Sequence, residues 1–230
     1  MSIVPADHLQ ILFQDDSVLI INKPAGLPVH KGVGGGVTLT DYLDDLRFGL
    51  KQLPQLAHRL DRDTSGCLVL GRTPEALRRL GKLFAANQVQ KTYWAVVQEQ
   101  PPEQTGRVVA PLLRVQGTLG GFGFRMAVDA KGQDAATTYR VLGQSADGAY
   151  SWLTLSPETG RTHQLRVHCA HIGCPIVGDD KYGLAPRNAA LLLHAYSLSL
   201  PLYAKRDPIV VTALPPAYFS EKIAAFTKAQ

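Results

Sequence analysis

Several features that would settle a function quickly are scarce or missing. Cysteine is rare: Cys67, Cys169 and Cys174 are the three in 230 residues. They cannot all pair with one another and their spacing resembles no disulfide framework, so a reducing cytoplasm is the expected compartment. No apolar run approaches the roughly 20 residues a membrane span needs. The opening "MSIVPADHLQ" has no basic region followed by an apolar stretch, so no signal peptide is expected. The glycine-rich "GVGGGVT" lacks the Gly-Lys-Ser/Thr ending of a phosphate-binding loop, and Gly32, Gly34, Gly35 and Gly36 do not complete a G-x-G-x-x-G. A nucleotide cofactor is therefore not expected, and no Ser-centred nucleophile elbow occurs. His163, His168, His171, Cys169 and Cys174 cluster in the chain, yet without the paired spacings of a zinc site. No metal is expected.

There are also no repeats, no low-complexity tract and no linker that would cut the chain in two. At 45% hydrophobic residues, the chain can bury a core without covalent staples. A single domain over residues 1–230 is the expectation. The formal charge is +5, which favours an anionic partner. Its distribution is more telling than its size. From Met1 to Ala57 there are four Lys/Arg against six acids, whereas from His58 to Lys91 there are seven against three.

Hydrophobic spacing sketches the elements. "VLIIN", Val18 to Asn22, reads as a buried strand ending at Pro24, followed by "KPAGLPVHKGVGGG", too rich in Gly and Pro for a regular element. Leu39, Leu43, Leu46 and Leu50 recur at helical spacing, so a helix is predicted over Thr38 to Leu50, with Thr38 and Asp41 as a capping box. Cys67 to Leu70 reads as a strand. A helix follows, with Thr73 as N-cap, Pro74 at its first position and Leu77, Leu80 and Phe84 on its apolar face. "KTYWAVVQ" alternates as a strand with two occupied faces. Pro101 to Gln133 reads as hairpins or loops. Ala136 to Leu142 and Ser151 to Leu155 are further strands, and Thr162 to Ile172 is a helix stopped by Gly173 and Pro175. "LLLHAYSLSL" and "IVVTA" are strands, and Phe219, Ile223 and Phe226 mark a closing helix. The sum is a mixed α+β chain.

Three stretches carry potential chemistry. In "HRLDRDTSG", Asp61 sits between Arg59 and Arg62 just before a buried strand. A cation within about 4–6 Å favours the ionised carboxylate, and Thr64, Ser65 and Gly66 can fix the local backbone. A plain turn-capping aspartate is the simpler alternative. In "TGRTHQLRVHCAHIGC", Leu165, His168, Cys169 and Ile172 share one helical face and Arg166 projects from another. In "KTYWAV", alternation puts Tyr93 and Trp94 on opposite faces, so at most one serves as a stacking platform for a base.

Together, "NKPAGLPVH", "HRLDRDTSG", "KTYWAV", "TGRTHQLRVH" and "LLLHAYSL" resemble the RluA-type family of RNA pseudouridine synthases. The resemblance implies a mixed, mostly antiparallel bent sheet with flanking helices and a central cleft. It implies that Asp61 is the catalytic aspartate, that Arg166 pairs with it, and that Tyr93 packs on the target base. Leu193 would be an apolar wall of the same pocket. Arg59 would enter the RNA stack where the target nucleotide leaves, with His58 and Arg62 as further substrate contacts. Many relatives carry an N-terminal S4 RNA-binding module, but Met1 to Ile21 is too short for one here. RNA recognition would then fall to the catalytic domain, with Gly32 to Gly36 and Pro101 to Gln133 as the expected substrate-specific contacts.

The implied reaction breaks N1–C1′ of a uridine, rotates the base and joins C5 to C1′. No electrons are gained or lost, so no cofactor is required. The implied partner is structured RNA, a tRNA or rRNA stem-loop, with neither a membrane nor an obligatory protein partner. Whether Asp61 acts as nucleophile or as base is open at this level. Two competing readings remain: an RNA-binding or remodelling protein whose catalysis is dispensable, and a glycosidase using Asp61 with Asp63.

Overall fold

The computed structural model describes residues 9–31, 35–116, 124–185 and 189–228. Two compact units emerge, each built from separate stretches of chain: Met1–Lys91 with His194–Pro216, and Thr92–Leu193 with Ala217–Gln230.

The first unit is a small sheet covered by one helix. Its strands are β1 (Gln10–Gln14), β2 (Val18–Lys23), β3 (Gln55–Leu56) and β4 (Ser65–Gly71), with the returning β11 (Leu193–Leu200, in this unit from His194) and β12 (Ile209–Thr212). The order is β1-β2-β4-β11, with β3 added to β4 and β12 to β11. Every pair is antiparallel except β4 with β11, which run parallel through His194 opposite Ser65 and Ala195 opposite Gly66. "VLII" and "CLVL" are buried throughout, as unbroken apolar runs in a doubly covered sheet should be. Val18, Ile20, Cys67 and Val69 form one core with Leu80 of helix α1 (Pro74–Ala85) and with Leu198, Leu200 and Val211. That helix begins as its sequence requires. Thr73 Oγ1 accepts the Ala76 N–H at 3.1 Å, and Pro74 occupies the first turn.

The predicted helix over Thr38 to Leu50 is instead two short 3-10 turns, Leu39–Tyr42 and Asp45–Arg47. The capping box of Thr38 and Asp41 forms, and Leu39, Leu43 and Leu46 are buried as their spacing suggested. The pitch differs because the chain cannot continue: Phe48 (φ 47°) and Gly49 (φ 85°) both turn left-handed. The spacing located the buried side chains correctly but did not fix the backbone hydrogen bonding.

The second unit is wholly antiparallel. It contains β5 (Gln90–Gln98, in this unit from Thr92), β6 (Thr105–Val109), β9 (Ala136–Gln144), β10 (Tyr150–Pro157) and β13 (Thr227–Lys228), in the order β5-β10-β9, with β6 and β13 sharing the far side of β9. A separate hairpin pairs β7 (Leu112–Gln116) with β8 (Phe124–Val128), so part of Pro101 to Gln133 is regular structure. Residues 117–123 of that stretch, and Gly32 to Gly34 of the glycine run, lie outside the described residues. Helix α2 (Gln164–His171) is shorter than predicted, because His163 at its N-cap is left-handed at φ 54°. Helix α3 (Ala217–Ala224) closes the chain and buries Phe219. Mixed α+β with mostly antiparallel pairing, as the sequence suggested, is the observed class.

Candidate active site

Asp61 opens a tight turn between Leu60, whose side chain is buried, and β4. The Thr64 N–H donates to the Asp61 carbonyl at 3.3 Å, which closes the turn. The Asp61 side chain is half-buried. At the other end of the turn, Ser65 and Gly66 start β4 against β11. Ser65 Oγ donates to His194 Nδ1 at 2.8 Å, and His194 Nε2–H donates to the Ala213 carbonyl at 3.0 Å. Burial holds His194 below its ordinary pKa, so it stays neutral in this tautomer. Gly66 has φ +110°, and a Cβ there would lie 2.2 Å from the Ala195 carbonyl oxygen. The "TSG" and "LLLHA" stretches thus meet as one joint of the first unit.

Below the turn lies a cation that sequence reasoning passed over. Lys23, the last residue of β2, has no exposed surface. Its Nζ donates to the carbonyls of Pro24 (2.7 Å), Leu27 (2.9 Å) and Arg62 (2.9 Å). Burial draws its pKa down to about 7, opposed by the charges of Asp63 and Asp61. The Gly26 N–H also donates to the Arg62 carbonyl, at 2.9 Å, from a left-handed conformation of φ +82°. The quoted "NKPAGLP" was the available signal, since it places a lysine at the buried end of an apolar strand. Its geometric meaning needed the turn to be brought alongside.

The two arginines flanking Asp61 are placed differently. Arg59 is exposed, while the Arg62 Nε donates to Asp63 Oδ1 at 2.9 Å. His58 is drawn into the packing of its unit. Its Nε2 accepts the Val69 N–H at 3.0 Å and its ring stacks on Phe84 at 4.4 Å. Burial, helped by the Lys91 charge, lowers its pKa to about 3, so the ring is a neutral acceptor pinning β4.

In the second unit, α2 and the residues before it form a connected polar lattice. The Gln164 amide donates to the Ala136 carbonyl (2.9 Å) and to Thr137 Oγ1 (3.0 Å), while its Oε1 accepts from Thr159 Oγ1 (2.7 Å) and the Arg161 N–H (3.0 Å). His168 bridges Thr137 Oγ1 and the Ala110 carbonyl, and burial lowers its pKa. This is why "TGRTHQLRVH" is polar at buried positions. Arg166 is buried and forms a bidentate pair with Asp179, Nε to Oδ2 at 2.8 Å and Nη2 to Oδ1 at 2.7 Å. Asp180 Oδ1 lies 3.6 Å from the same Nη2. Burial opposes the Asp179 charge, but Arg166 and the N–H groups of Lys181 and Tyr182 outweigh it and hold the carboxyl below its ordinary range. The sequence offered no sign of Asp179 as this partner.

Tyr93 and Leu193 belong to one apolar cluster of the second unit, with Leu155, Leu165 and Leu191. Tyr93 is half-buried and lies opposite Leu155. Trp94 turns to the other face, as alternation predicted, and meets Trp152 edge-on at 4.8 Å. It packs against the separate cluster around Val96 and Phe219. Of the two aromatics, Trp94 is spent on packing.

Comparison with known proteins bears on these arrangements. Residues 17–171 match the family model described as RNA pseudouridylate synthase. The chain belongs to that family. An RNA pseudouridine synthase of Zymomonas mobilis, itself uncharacterised, is 42% identical over 212 residues, covering 91% of this chain and 95% of its own. The bovine mitochondrial pseudouridylate synthase RPUSD4 is 36% identical over 253 residues, covering 91% of this chain and 67% of the relative. Among solved structures, human RNA pseudouridylate synthase domain containing 4 superposes with a TM-score of 0.80 at 30% identity, covering 96% of this chain and 95% of that one. As a pseudouridine synthase the chain is an isomerase acting on RNA. The pseudouridine synthase matches run through both units, from "NKPAG" in β2 to α2.

Proposed function

We propose that this synthase isomerises a uridine everted from a tRNA or rRNA stem-loop, with Asp61 as the reacting carboxylate. The observation that carries this reading is the built turn. A half-buried carboxylate heads a loop whose backbone is tied by Lys23, Gly26 and Thr64, inside the segment matched by the family model. A catalytic carboxylate must be charged and aimed, and a fixed turn beside a buried ammonium supports both. Arg166, Tyr93 and Leu193 complete the proposed residue set. In it Arg166 supports the negative charge, Tyr93 packs on the uracil face and Leu193 walls the base from water. Arg59, on the exposed side of the turn, contacts the RNA strand, with Arg62 and His58 around it.

The reaction balances without a co-reactant. Asp61 initiates rupture of N1–C1′, as nucleophile or as base; uracil turns within the pocket, C5 bonds to C1′, the C5 hydrogen leaves as a proton and N1 takes one up. Water must be kept out, or the sugar is hydrolysed in place of rejoining the base. Extracting a nucleotide costs a few kcal/mol and least in a loop, which favours a loop uridine. The buried free thiols suit a reducing compartment such as the cytoplasm. Asp61→Asn in the full chain is expected to fold with unchanged circular dichroism and to form no pseudouridine. Wild-type turnover in that variant defeats the assignment. Mapping which pseudouridine disappears from total RNA on gene deletion identifies the target.

A further inference from the structure

The least ordinary group outside the proposed residue set is the ammonium of Lys23. A lysine with no exposed surface loses its hydration shell, a cost tolerated only when each N–H finds an acceptor. Here three acceptors are supplied at 2.7, 2.9 and 2.9 Å, one for each hydrogen of the protonated amine. Two come from the lysine's own exit loop, Pro24 and Leu27. The third, Arg62, lies 39 residues away, in the middle of the turn that Asp61 opens. The same carbonyl accepts from Gly26, so the exit loop and the turn are joined by two bonds at one oxygen. A hydrophobic side chain at position 23 would fill the space but leave these carbonyls unanswered. The fold keeps a charge where a core residue would be simpler.

We propose that Lys23 is a positioning residue of the synthase, its ammonium fixing the Arg62 carbonyl and thereby the direction and charge of Asp61. The proposal rests on the reading of Asp61 as the reacting group. The charged groups around the ammonium are Asp61 and Asp63, both on the turn it holds, and the Arg62 guanidinium bound to Asp63. The strand and the exit loop contribute carbonyls. Lys23 touches neither RNA nor the reacting atoms; it acts through the turn.

Two consequences separate this from a purely structural lysine. Loss of the ammonium misdirects Asp61 and so slows the chemical step while RNA binding survives. It also removes a positive charge beside the carboxylate, so the acid limb of the rate profile moves to higher pH, by roughly one unit for a close pair.

The test uses the full chain with total RNA from a strain lacking the gene, labelled with [5-³H]uridine, because joining C5 to C1′ releases the C5 hydrogen. Wild type, Asp61→Asn, Lys23→Met and Lys23→Gln are compared in single-turnover tritium release, filter retention of the same RNA, and thermal unfolding. The expected result is release by wild type and none by Asp61→Asn. The folded Lys23 variants should be slowed at least tenfold, with retention within twofold and the acid limb shifted upward. Lys23 variants within twofold of wild type with an unmoved limb, or slowed only in step with lost retention, overturn the proposal. Release by Asp61→Asn overturns the underlying reading instead.

A second measurement does not require the Lys23 variants to fold. Wild type and Asp61→Asn carrying ¹³Cε-lysine are titrated by NMR. A lysine resonance that titrates near neutral pH is expected to move to lower pH when the Asp61 charge is removed. Identical titrations in the two proteins overturn the proposal.

Discussion

Gly66 shows how little freedom a single position has in this joint. It combines a left-handed φ of +110° with a would-be Cβ 2.2 Å from the Ala195 carbonyl oxygen. A methyl group there meets backbone, which cannot swing aside as a side-chain tip can. Gly66→Ala is expected to destabilise the protein by about 2–4 kcal/mol, combining positive-φ strain with overpacking; the midpoint of a urea melt checks this. Neighbouring residues divide the work around it. Ser65 pins β4 to β11 through His194, Thr64 closes the turn, and Asp61 is left half-buried at its head. That division explains why a short motif combines charge, hydroxyl and glycine.

Among the elements, α2 departs furthest from the amphipathic pattern. Gln164, Leu165, Arg166, Val167, His168 and Cys169 are all buried, so no face is left to solvent. Its polar side chains are each answered, by Thr137, Ala136, Ala110 and Asp179. The Arg166–Asp179 pair is the costliest to disturb, because both side chains are almost fully enclosed, at 6% and 0% exposed. Asp179→Asn should cost about 3–5 kcal/mol by leaving a buried cation without a full counter-charge. Chemical denaturation of the folded variant measures the loss. Since the same pair holds the plane of the Arg166 guanidinium, the variant should also turn over more slowly under conditions where it remains folded.

For the whole molecule, charge and protonation set the working conditions. The net charge of +5 predicts RNA affinity that falls as salt rises, linearly in log–log form. Arg59→Ala should reduce that slope by about one if the side chain meets a phosphate; filter binding across a salt series reads it directly. Acid acts through the buried histidines. His58 is held near pKa 3 in the fold and titrates near 6.5 when unfolded, so between these values the unfolded chain binds the extra proton. Stability from this group is therefore intact above pH 6.5 and falls as pH drops toward 3. His168 and His194, also lowered by burial, act in the same direction. His58→Gln should flatten the decline in stability between pH 6.5 and 4, as followed by urea midpoints.

Local pattern was a good guide wherever a residue's role depends on its near neighbours. The apolar runs of β2 and β4, the Thr73–Pro74 start of α1, the capping box at Thr38 and the opposed faces of Tyr93 and Trp94 were all legible. So was the family, since its motifs are contiguous. Two local expectations gave way to backbone conformation: left-handed Phe48 and Gly49 replaced a helix with 3-10 turns, and left-handed His163 shortened α2. What the sequence by itself determined is the class of fold and the short segments that carry chemistry, because periodicity, caps and motifs are properties of neighbours in the chain. Only the tertiary structure decided that Lys23 answers the carbonyl of Arg62, that Ser65 meets His194 and that Arg166 is clasped by Asp179. Buried charges and polar groups must find partners wherever the fold brings acceptors, and sequence separation does not limit that search.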